Sequence, residues 1–169
     1  MKKKFIKSIS LLSILIISLL IPNSTSFAYV FWNGPISTPK SIGIYCQSLA
    51  YSSQINTYAK KWNQCPEVYL YESNSSIAKI HSLVSSTPSG SYATTYYYGD
   101  DNKSIVFYKA WQTSSTAIQN ETIVHEFGHA LGLAHTQSYN NSMSVMREFC
   151  FNYKAYPLSD DKAGILALY

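Results

Sequence analysis

The sequence lacks a surplus of charge once its first residues are set aside. The chain has 169 residues and a formal net charge of +4, but four of its thirteen lysine and arginine residues lie in the first seven positions, as Lys2, Lys3, Lys4 and Lys7. Residues 29–169 therefore carry nine basic and nine acidic side chains. Nucleic-acid binders concentrate basic side chains in a patch or stripe. We therefore expect no nucleic-acid partner.

Long hydrophobic runs are also scarce. The apolar stretch from Leu11 to Ile21 has eleven residues, whereas a membrane-spanning helix needs about 20. Lysines precede this stretch, and Ser26-Phe27-Ala28 follows it with the small residues that a signal peptidase requires. The pattern predicts a secretory signal peptide over residues 1–28 and argues against an uncleaved anchor. The residue after the cut is Tyr29 and not cysteine, which argues against a lipid anchor.

The remaining chain, residues 29–169, is short enough for one domain. No internal repeat or linker divides its 141 residues. We expect a single domain that is secreted, extracellular and monomeric, with no membrane contact after the signal peptide is removed.

Cysteine is scarce as well, with Cys46, Cys65 and Cys150 only. Three cysteines in an oxidising compartment allow at most one intramolecular disulfide and leave at least one thiol. A helix over about residues 51–62 would hold Cys46 and Cys65 roughly 18 Å or more apart, but a disulfide needs Cα atoms within about 7 Å. We therefore expect Cys150 to pair with one of the other two, and the sequence leaves open which one.

Strand-like and helical patterns follow one another in the rest of the chain. The strand-like segments are Ile42–Tyr45, Val68–Tyr71, Tyr92–Tyr98 and Ser104–Tyr108, and the helical spacing of apolar residues is carried by Tyr51, Ile55, Ala59 and Trp62. This order predicts an α+β fold, in which a mixed, twisted sheet has helices packed on it. The many tyrosines are interpreted as packing on the sheet.

The turn between the last two strand-like segments, Gly99–Asn102, contains Asp100 and Asp101. Carboxylates are hard oxygen ligands that suit calcium, so a structural Ca²⁺ is an alternative at this position. Gly-Asp-Asp-Asn is also a common turn sequence, and we favour a simple hairpin turn.

Histidine is rare too, yet three of the four histidines, His125, His129 and His135, lie within eleven residues. On a helix His125 and His129 project from the same side one turn apart, as two ligands of one zinc ion would. Gly132 can adopt the left-handed conformation that ends a helix and turns the chain back, which would make His135 the third ligand. Three nitrogens and one water form the open site of a catalytic zinc. Glu126 would hold that water without being a ligand.

The sequence around these residues supports a helix. Thr116 and Gln119 have the spacing of a capping box, and apolar residues continue at helical spacing as Ile123, Phe127 and Leu131. The full pattern His-Glu-x-x-His-x-x-Gly-x-x-His fixes five positions and is more specific than its first half. The fourth histidine, His81, has no partner at ligand spacing and is expected to be an ordinary surface or boundary residue.

On these residues the chain resembles the metzincin zinc metallopeptidases, in particular the matrixins. Their second mark is a turn with a methionine beneath the metal. Ser144-Val145-Met146 fits this turn better than Met143 does, and residues 157–169 resemble the closing helix of matrixins. The resemblance implies a metzincin-like zincin domain with an active-site helix, a Met-turn and a C-terminal helix.

The resemblance also implies roles for two aspartates. In matrixins the first aspartate of such a pair can hold the mature N-terminal ammonium, and the second supports the methionine turn; the matching positions are Asp160 and Asp161. Ser159 is expected to cap the closing helix. The chain departs from the family pattern at Glu148, which replaces the tyrosine ligand of astacins and serralysins. It also has no second histidine set for a structural zinc and no room for a propeptide or cysteine switch.

The implied activity is that of a zinc-dependent endopeptidase with one catalytic Zn²⁺ and a protein or peptide substrate. Zinc would lower the pKa of its bound water to ~7. Glu126 would act as the general base and pass the proton to the leaving amine. We expect the substrate to lie along an edge strand, with Ser104–Tyr108 the best candidate. The residues that select a substrate side chain are expected within Thr136–Phe149.

Two other functions are compatible with the sequence. One is a non-catalytic, zinc-stabilised, secreted binding module, although a structural zinc would not need Glu126 beside it. The other is an adhesive surface protein that uses its tyrosines, for which binding would survive removal of the metal.

Overall fold

The computed structural model describes residues 29–32, 34–136 and 142–169. The predicted signal peptide, residues 1–28, lies outside the described residues. Within the described ranges, no helix has both the length and the apolar character needed to cross a membrane.

A five-stranded sheet forms the centre of the molecule. Its strands are β1 (Ile42–Cys46), β2 (Leu70–Glu72), β3 (Ile80–Val84), β4 (Ala93–Gly99) and β5 (Asn102–Phe107). The strand order is β2-β1-β3-β5-β4, in which β2, β1, β3 and β5 run parallel and β4 runs antiparallel to β5. The predicted α+β fold with a mixed sheet is therefore confirmed.

The position of β5 overturns one prediction about the sheet. Strand β5 lies between β3 and β4, so its backbone is hydrogen-bonded on both sides. The expectation that Ser104–Tyr108 is the edge strand is therefore wrong. The edge strand on this side is β4, which folds back onto β5 through a turn where Gly99 has a φ of +147°. That conformation is readily adopted only by glycine.

Strand β3 was not predicted from the sequence. Its residues Ile80, His81 and Ser82 mix apolar and polar side chains in a segment with weak alternation. The strand forms because both of its neighbours supply hydrogen bonds, and because the buried Ser82 hydroxyl donates to the Tyr45 carbonyl at 3.4 Å. His81 is half-buried on this strand, and its Nε2 lies 3.1 Å from the Ala78 carbonyl oxygen.

Four helices accompany the sheet in the described part of the chain. They are α1 (Leu49–Ala59), which continues as a 3₁₀ helix over Lys60–Gln64, α2 (Lys109–Gln112), α3 (Thr116–Ala130) and α4 (Ser159–Leu168). Helices α1 and α3 pack on each other and on the sheet. The apolar face predicted for α1 is buried at Ile55, Ala59 and Trp62. The Trp62 indole donates to the Val124 carbonyl at 2.9 Å, which fixes the 3₁₀ continuation of α1 against α3.

Both predicted helix caps shift by one residue. Ser115, and not Thr116, caps α3, since its hydroxyl accepts the Ile118 N–H. The Gln119 side chain, predicted to complete a capping box, instead donates to the Trp111 and Gln112 carbonyls. Ser159 is already the first residue of α4, so the expectation that it caps this helix is wrong.

The turn with two aspartates holds the N-terminal segment against the sheet. Asp101 accepts hydrogen bonds from Ser37 and forms an ion pair with Lys79 at 3.0 Å. The fully buried Lys103 donates to the Gly34 carbonyl at 3.0 Å, and burial lowers its pKa to about 8. The carboxylate of Asp101 thus already has an ammonium partner, which favours the hairpin turn over a calcium site.

None of the three cysteines forms a disulfide, so the expected disulfide involving Cys150 is wrong for this structure. Cys46 and Cys65 are buried in the core, whereas Cys150 is exposed. Burial raises the pKa of the Cys65 thiol to about 12, which leaves it almost entirely protonated at neutral pH.

Candidate metal centre and active site

Helix α3 carries the first two histidines and ends just after them. The helix extends to Ala130, and the Gly132 N–H donates to the His129 carbonyl at 2.9 Å. Gly132 has a φ of +104°, in the left-handed region that a residue with a side chain rarely adopts. The chain reverses here as the sequence pattern predicts, and His135 returns towards the helix.

The three histidines predicted as ligands converge on one point. The Nε2 atoms of His125 and His129 are 3.0 Å apart, and each lies 3.2 Å from Nε2 of His135. Three ligand nitrogens in a tetrahedral zinc site, each at ~2.0–2.1 Å from the metal, are about 3.3 Å apart. The spacing therefore fits a single small cation held by three imidazoles.

The outer nitrogens of two of these rings are fixed by backbone carbonyls. His125 donates from Nδ1 to the Val145 carbonyl at 2.9 Å, and His129 donates from Nδ1 to the Leu133 carbonyl at 2.7 Å. These bonds set the tautomer in which each Nε2 lone pair faces inward. Burial lowers the pKa of His125 to about 4 and holds that of His129 well below its usual value. Converging lone pairs on neutral imidazoles suit Zn²⁺.

The predicted general base lies in the same cleft. Glu126 is 6% exposed, and burial raises its pKa to about 7. Thr95 on the edge strand β4 donates its hydroxyl to Oε2 of Glu126 at 2.6 Å, and the same hydroxyl lies 3.1 Å from the Glu126 carbonyl oxygen. The carboxylate is therefore held in one orientation by a strand that is distant in sequence.

The segment Ser144-Val145-Met146 packs directly under helix α3. Met146 is 1% exposed, whereas Met143 is 46% exposed. A Cβ atom at Gly128 would collide with the Met146 sulfur, so the glycine permits the close approach of this side chain to the helix. Met146, and not Met143, is thus the methionine buried against the helix that carries His125 and His129.

Asp161 holds this turn in place from helix α4. Its carboxylate accepts the Ser144 hydroxyl and the Val145 N–H, the latter at 2.8 Å, and it also accepts the Leu158 N–H at 2.8 Å. Val145 in turn accepts the Nδ1–H of His125, so a continuous chain of hydrogen bonds connects Asp161 to the histidine. Burial raises the pKa of Asp161 to about 6, against the effect of these bonds.

The N-terminal segment forms part of the site. Phe31 pairs with Leu133 in an isolated antiparallel bridge, and the Trp32 N–H donates to the Gly132 carbonyl at 2.8 Å. The Trp32 ring then lies edge-on to His129, with ring centroids 5.4 Å apart. The segment immediately after the predicted cleavage point is therefore bound to the segment that carries His135.

A cleft of about 860 Å³ opens above the histidines. Residues 90–95, which lead into and along β4, form its near wall, and residues 148–151 with Tyr153 form its far wall. Trp32 lines one side of the cleft. The floor is formed by residues of α3, which are Ile118, Thr122, His125, Glu126 and His129. The walls include five large aromatic side chains, which are Trp32, Tyr92, Phe149, Phe151 and Tyr153.

Comparison with known families agrees with this geometry. A family model described as Matrixin matches residues 66–169, which is more than half of the chain. The chain belongs to the matrixin family. The search of curated proteins found no match.

Solved structures show the same fold at low sequence identity. A structure of myroilysin is similar to this matrixin with a TM-score of 0.60 and 16% identity, over 80% of this chain and 82% of that one. A second, described as the GM1-bound form of the ECX AB5 holotoxin, has a TM-score of 0.62 and 13% identity, over 83% and 87% of the two chains. Membership of the matrixin family supports a metallopeptidase that acts on proteins or peptides.

Several residues of the matrixin site were not identified from the sequence. Thr95, Trp32 and Tyr153 reach the cleft through contacts between segments that are far apart along the chain. No local spacing distinguishes these residues from other threonines and aromatics. Part of the segment expected to form the selective wall, residues 137–141, lies outside the described residues, and the far wall extends beyond Phe149 to Tyr153.

Proposed function

We propose that residues 29–169 form a secreted, zinc-dependent endopeptidase. The observation that carries this proposal is the convergence of three inward-facing imidazole Nε2 atoms in one cleft with the buried carboxylate of Glu126. Zinc bound to His125, His129 and His135 would supply Lewis acidity for water and for a peptide carbonyl.

Glu126 would be the general base in this reaction. Its carboxylate faces the cleft, and its raised pKa suits a group that accepts a proton near neutral pH and gives it up again. The residue would take a proton from the attacking water and pass it to the nitrogen of the leaving amine. The hydrogen bond from Thr95 would keep Oε2 engaged and leave Oε1 for this transfer.

The substrate would bind as an extended chain along β4. This strand is the edge of the sheet, and its first residues, Ala93 to Thr95, line the cleft beside Glu126. Backbone hydrogen bonds of the kind that add a strand to a sheet would align the scissile peptide with the histidines. The aromatic walls favour apolar side chains next to that peptide.

We propose secretion because the sequence predicts a signal peptide, and cleavage of that peptide would make Tyr29 the new N-terminus. Tyr29 already lies against the closing helix, close to Gly164, one turn after Asp160. We expect Asp160 to hold the Tyr29 ammonium after cleavage, as the matrixin resemblance implies. The mature protein is expected to be a monomer.

The test uses protein secreted from the full-length chain, with its N-terminus sequenced and its zinc content measured. Wild-type protein is expected to cleave a mixed protein substrate within peptide chains. The Glu126→Ala variant should lose activity by about 100-fold or more, the scale of general-base catalysis, and still bind one zinc. Glu72→Gln, which changes an exposed carboxylate on β2, is the control and should match wild type.

Two outcomes would contradict the proposal. If wild-type protein binds zinc and cleaves nothing, the zinc-stabilised binding module becomes the better interpretation. If Glu126→Ala cleaves as fast as wild type, another group provides the base.

A further inference from the structure

A second glutamate of helix α3 is buried without a role in the proposed chemistry. Glu121 lies four residues before His125 and is 0% exposed. Its Oε1 accepts the Asn152 N–H at 3.0 Å and its Oε2 accepts the Tyr153 N–H at 2.5 Å. Burial raises the pKa of this carboxyl, while the two backbone N–H donors and the Arg147 guanidinium lower it. A buried carboxylate is stable only when bonded in this way.

The residues that Glu121 holds belong to the far wall of the cleft. Cys150 to Tyr153 lie outside the helices and strands, so no regular ladder of backbone bonds fixes them. Cys150 and Tyr153 have φ values of +57° and +61°, in a region that is unfavourable for residues with a side chain. Such a conformation persists only where the surroundings determine it. The paired bonds to Glu121 supply that constraint at Tyr153.

The same segment reaches both the histidines and the opposite wall. The Phe151 ring lies 5.8 Å from the His125 ring and 6.2 Å from the Tyr92 ring, measured between centroids. Tyr92 stands on the near wall, so Phe151 spans part of the cleft above the first predicted ligand. The position of residues 151 to 153 therefore determines how much room an apolar substrate side chain finds beside the histidines.

We propose that Glu121 is a specificity-positioning residue. From the helix that carries the histidines, it fixes the wall of Phe151 and Tyr153 by two backbone hydrogen bonds and so sets the size of the apolar side chain that the cleft accepts. The selectivity part of this proposal rests on the proposed peptidase function. The anchoring part does not, because it concerns only the far wall and α3.

The first test measures the anchor without using activity. Glu121→Gln keeps the size of the side chain but leaves one acceptor oxygen for two N–H groups. In zinc-loaded protein, the amides of Asn152 and Tyr153 should then exchange with deuterium about tenfold faster or more, a loss of about 1.4 kcal/mol of protection. Asn120→Ala, the adjacent position whose side chain bonds Gln54 at 2.9 Å, should leave both amides unchanged. Equal protection in wild type and Glu121→Gln would overturn the proposal.

The second test compares two peptides that differ only in having Phe or Ala next to the scissile bond. Wild type should prefer the Phe peptide, and Glu121→Gln should lower the Phe-to-Ala ratio of kcat/KM by about tenfold, mainly through KM for the Phe peptide. An equal loss of kcat on both peptides would mean a merely structural role and would overturn the proposal. If wild type cleaves neither peptide, the peptidase function itself fails, and the exchange measurement still decides the anchoring.

Discussion

The floor and the far wall of the cleft are built in different ways. On the floor, His125 and Glu126 belong to one continuous helix and are 4% and 6% exposed. On the far wall, Phe149 and Tyr153 belong to an irregular segment and are 50% and 65% exposed. The floor is fixed by the helix and by the Met-turn beneath it, whereas on the wall the N–H groups of Asn152 and Tyr153 donate two hydrogen bonds to the buried Glu121.

We interpret this difference as a division of roles, in which the floor carries the proposed chemistry and the far wall selects the substrate side chain. The three histidine nitrogens would have to remain within a few tenths of an ångström of their positions to hold one metal ion, and two of them belong to helix α3. A wall made of exposed aromatic side chains on a loop can change its shape at little cost to the fold. Changes on the floor should therefore affect metal binding and the chemical step, and changes on the wall should affect KM.

The largest expected effect is the loss of a ligand on the floor. His129→Ala should weaken zinc binding by more than about 100-fold, beyond the range seen when a supporting partner of a ligand is lost, and should abolish cleavage. The control is His81→Ala, because His81 is a half-buried histidine on β3 that is not part of the ligand group. Competition with a chromophoric chelator measures the affinity. Equal zinc affinity in the two variants would mean that His129 on the floor of the cleft matters no more for zinc binding than His81 on β3.

The next effect concerns the support of the floor. Asp161→Asn replaces a carboxylate that accepts bonds from Ser144, Val145 and Leu158 by an amide with only one acceptor. The free energy of unfolding should fall by about 1–3 kcal/mol, as measured by urea denaturation. Asp100→Asn, at an exposed aspartate of the hairpin turn, should change it by less than about 0.5 kcal/mol. An equal change in both variants would mean that Asp161 does not stabilise the Met-turn.

A smaller effect is expected where the near wall meets the floor. Thr95→Val keeps the shape of the side chain but removes the hydroxyl that orients Glu126. We expect kcat to fall about tenfold, equivalent to one hydrogen bond of ~1.4 kcal/mol, with KM and zinc content unchanged. Thr95→Ser restores the hydroxyl and should recover most of the rate. A change in KM alone would mean that Thr95 contributes to substrate selection and does not support Glu126 as the general base.

Which parts of the fold and of the site can be predicted from the sequence depends on how far apart along the chain the contacting residues lie. His125, Glu126, His129 and the turn at Gly132 are related by helix geometry over a few residues, so their spacing predicts their arrangement. The order of strands is set by pairings between distant segments, which is why Ser104–Tyr108 was wrongly expected at the edge. The same limit applies to Thr95 and to Glu121, whose partners lie about thirty residues away along the chain.

The disulfide prediction failed for a related reason. Counting cysteines and estimating the span of one helix excluded a bond between Cys46 and Cys65. The pairing of Cys150 depends on its position in the fold, and it is exposed on the far wall while the other two thiols are buried. The arrangement leaves a thiol in the same cleft as the three histidines.

That thiol makes one measurement the most direct test of the metal centre. X-ray absorption at the zinc edge of the secreted, zinc-loaded protein distinguishes nitrogen ligands at ~2.0–2.1 Å from sulfur at ~2.3 Å. We expect three imidazole nitrogens around the zinc, and we expect this signal to be lost together with the bound zinc in His129→Ala. A sulfur ligand from Cys150, or a zinc that remains bound in that variant, would contradict a catalytic centre made by His125, His129 and His135.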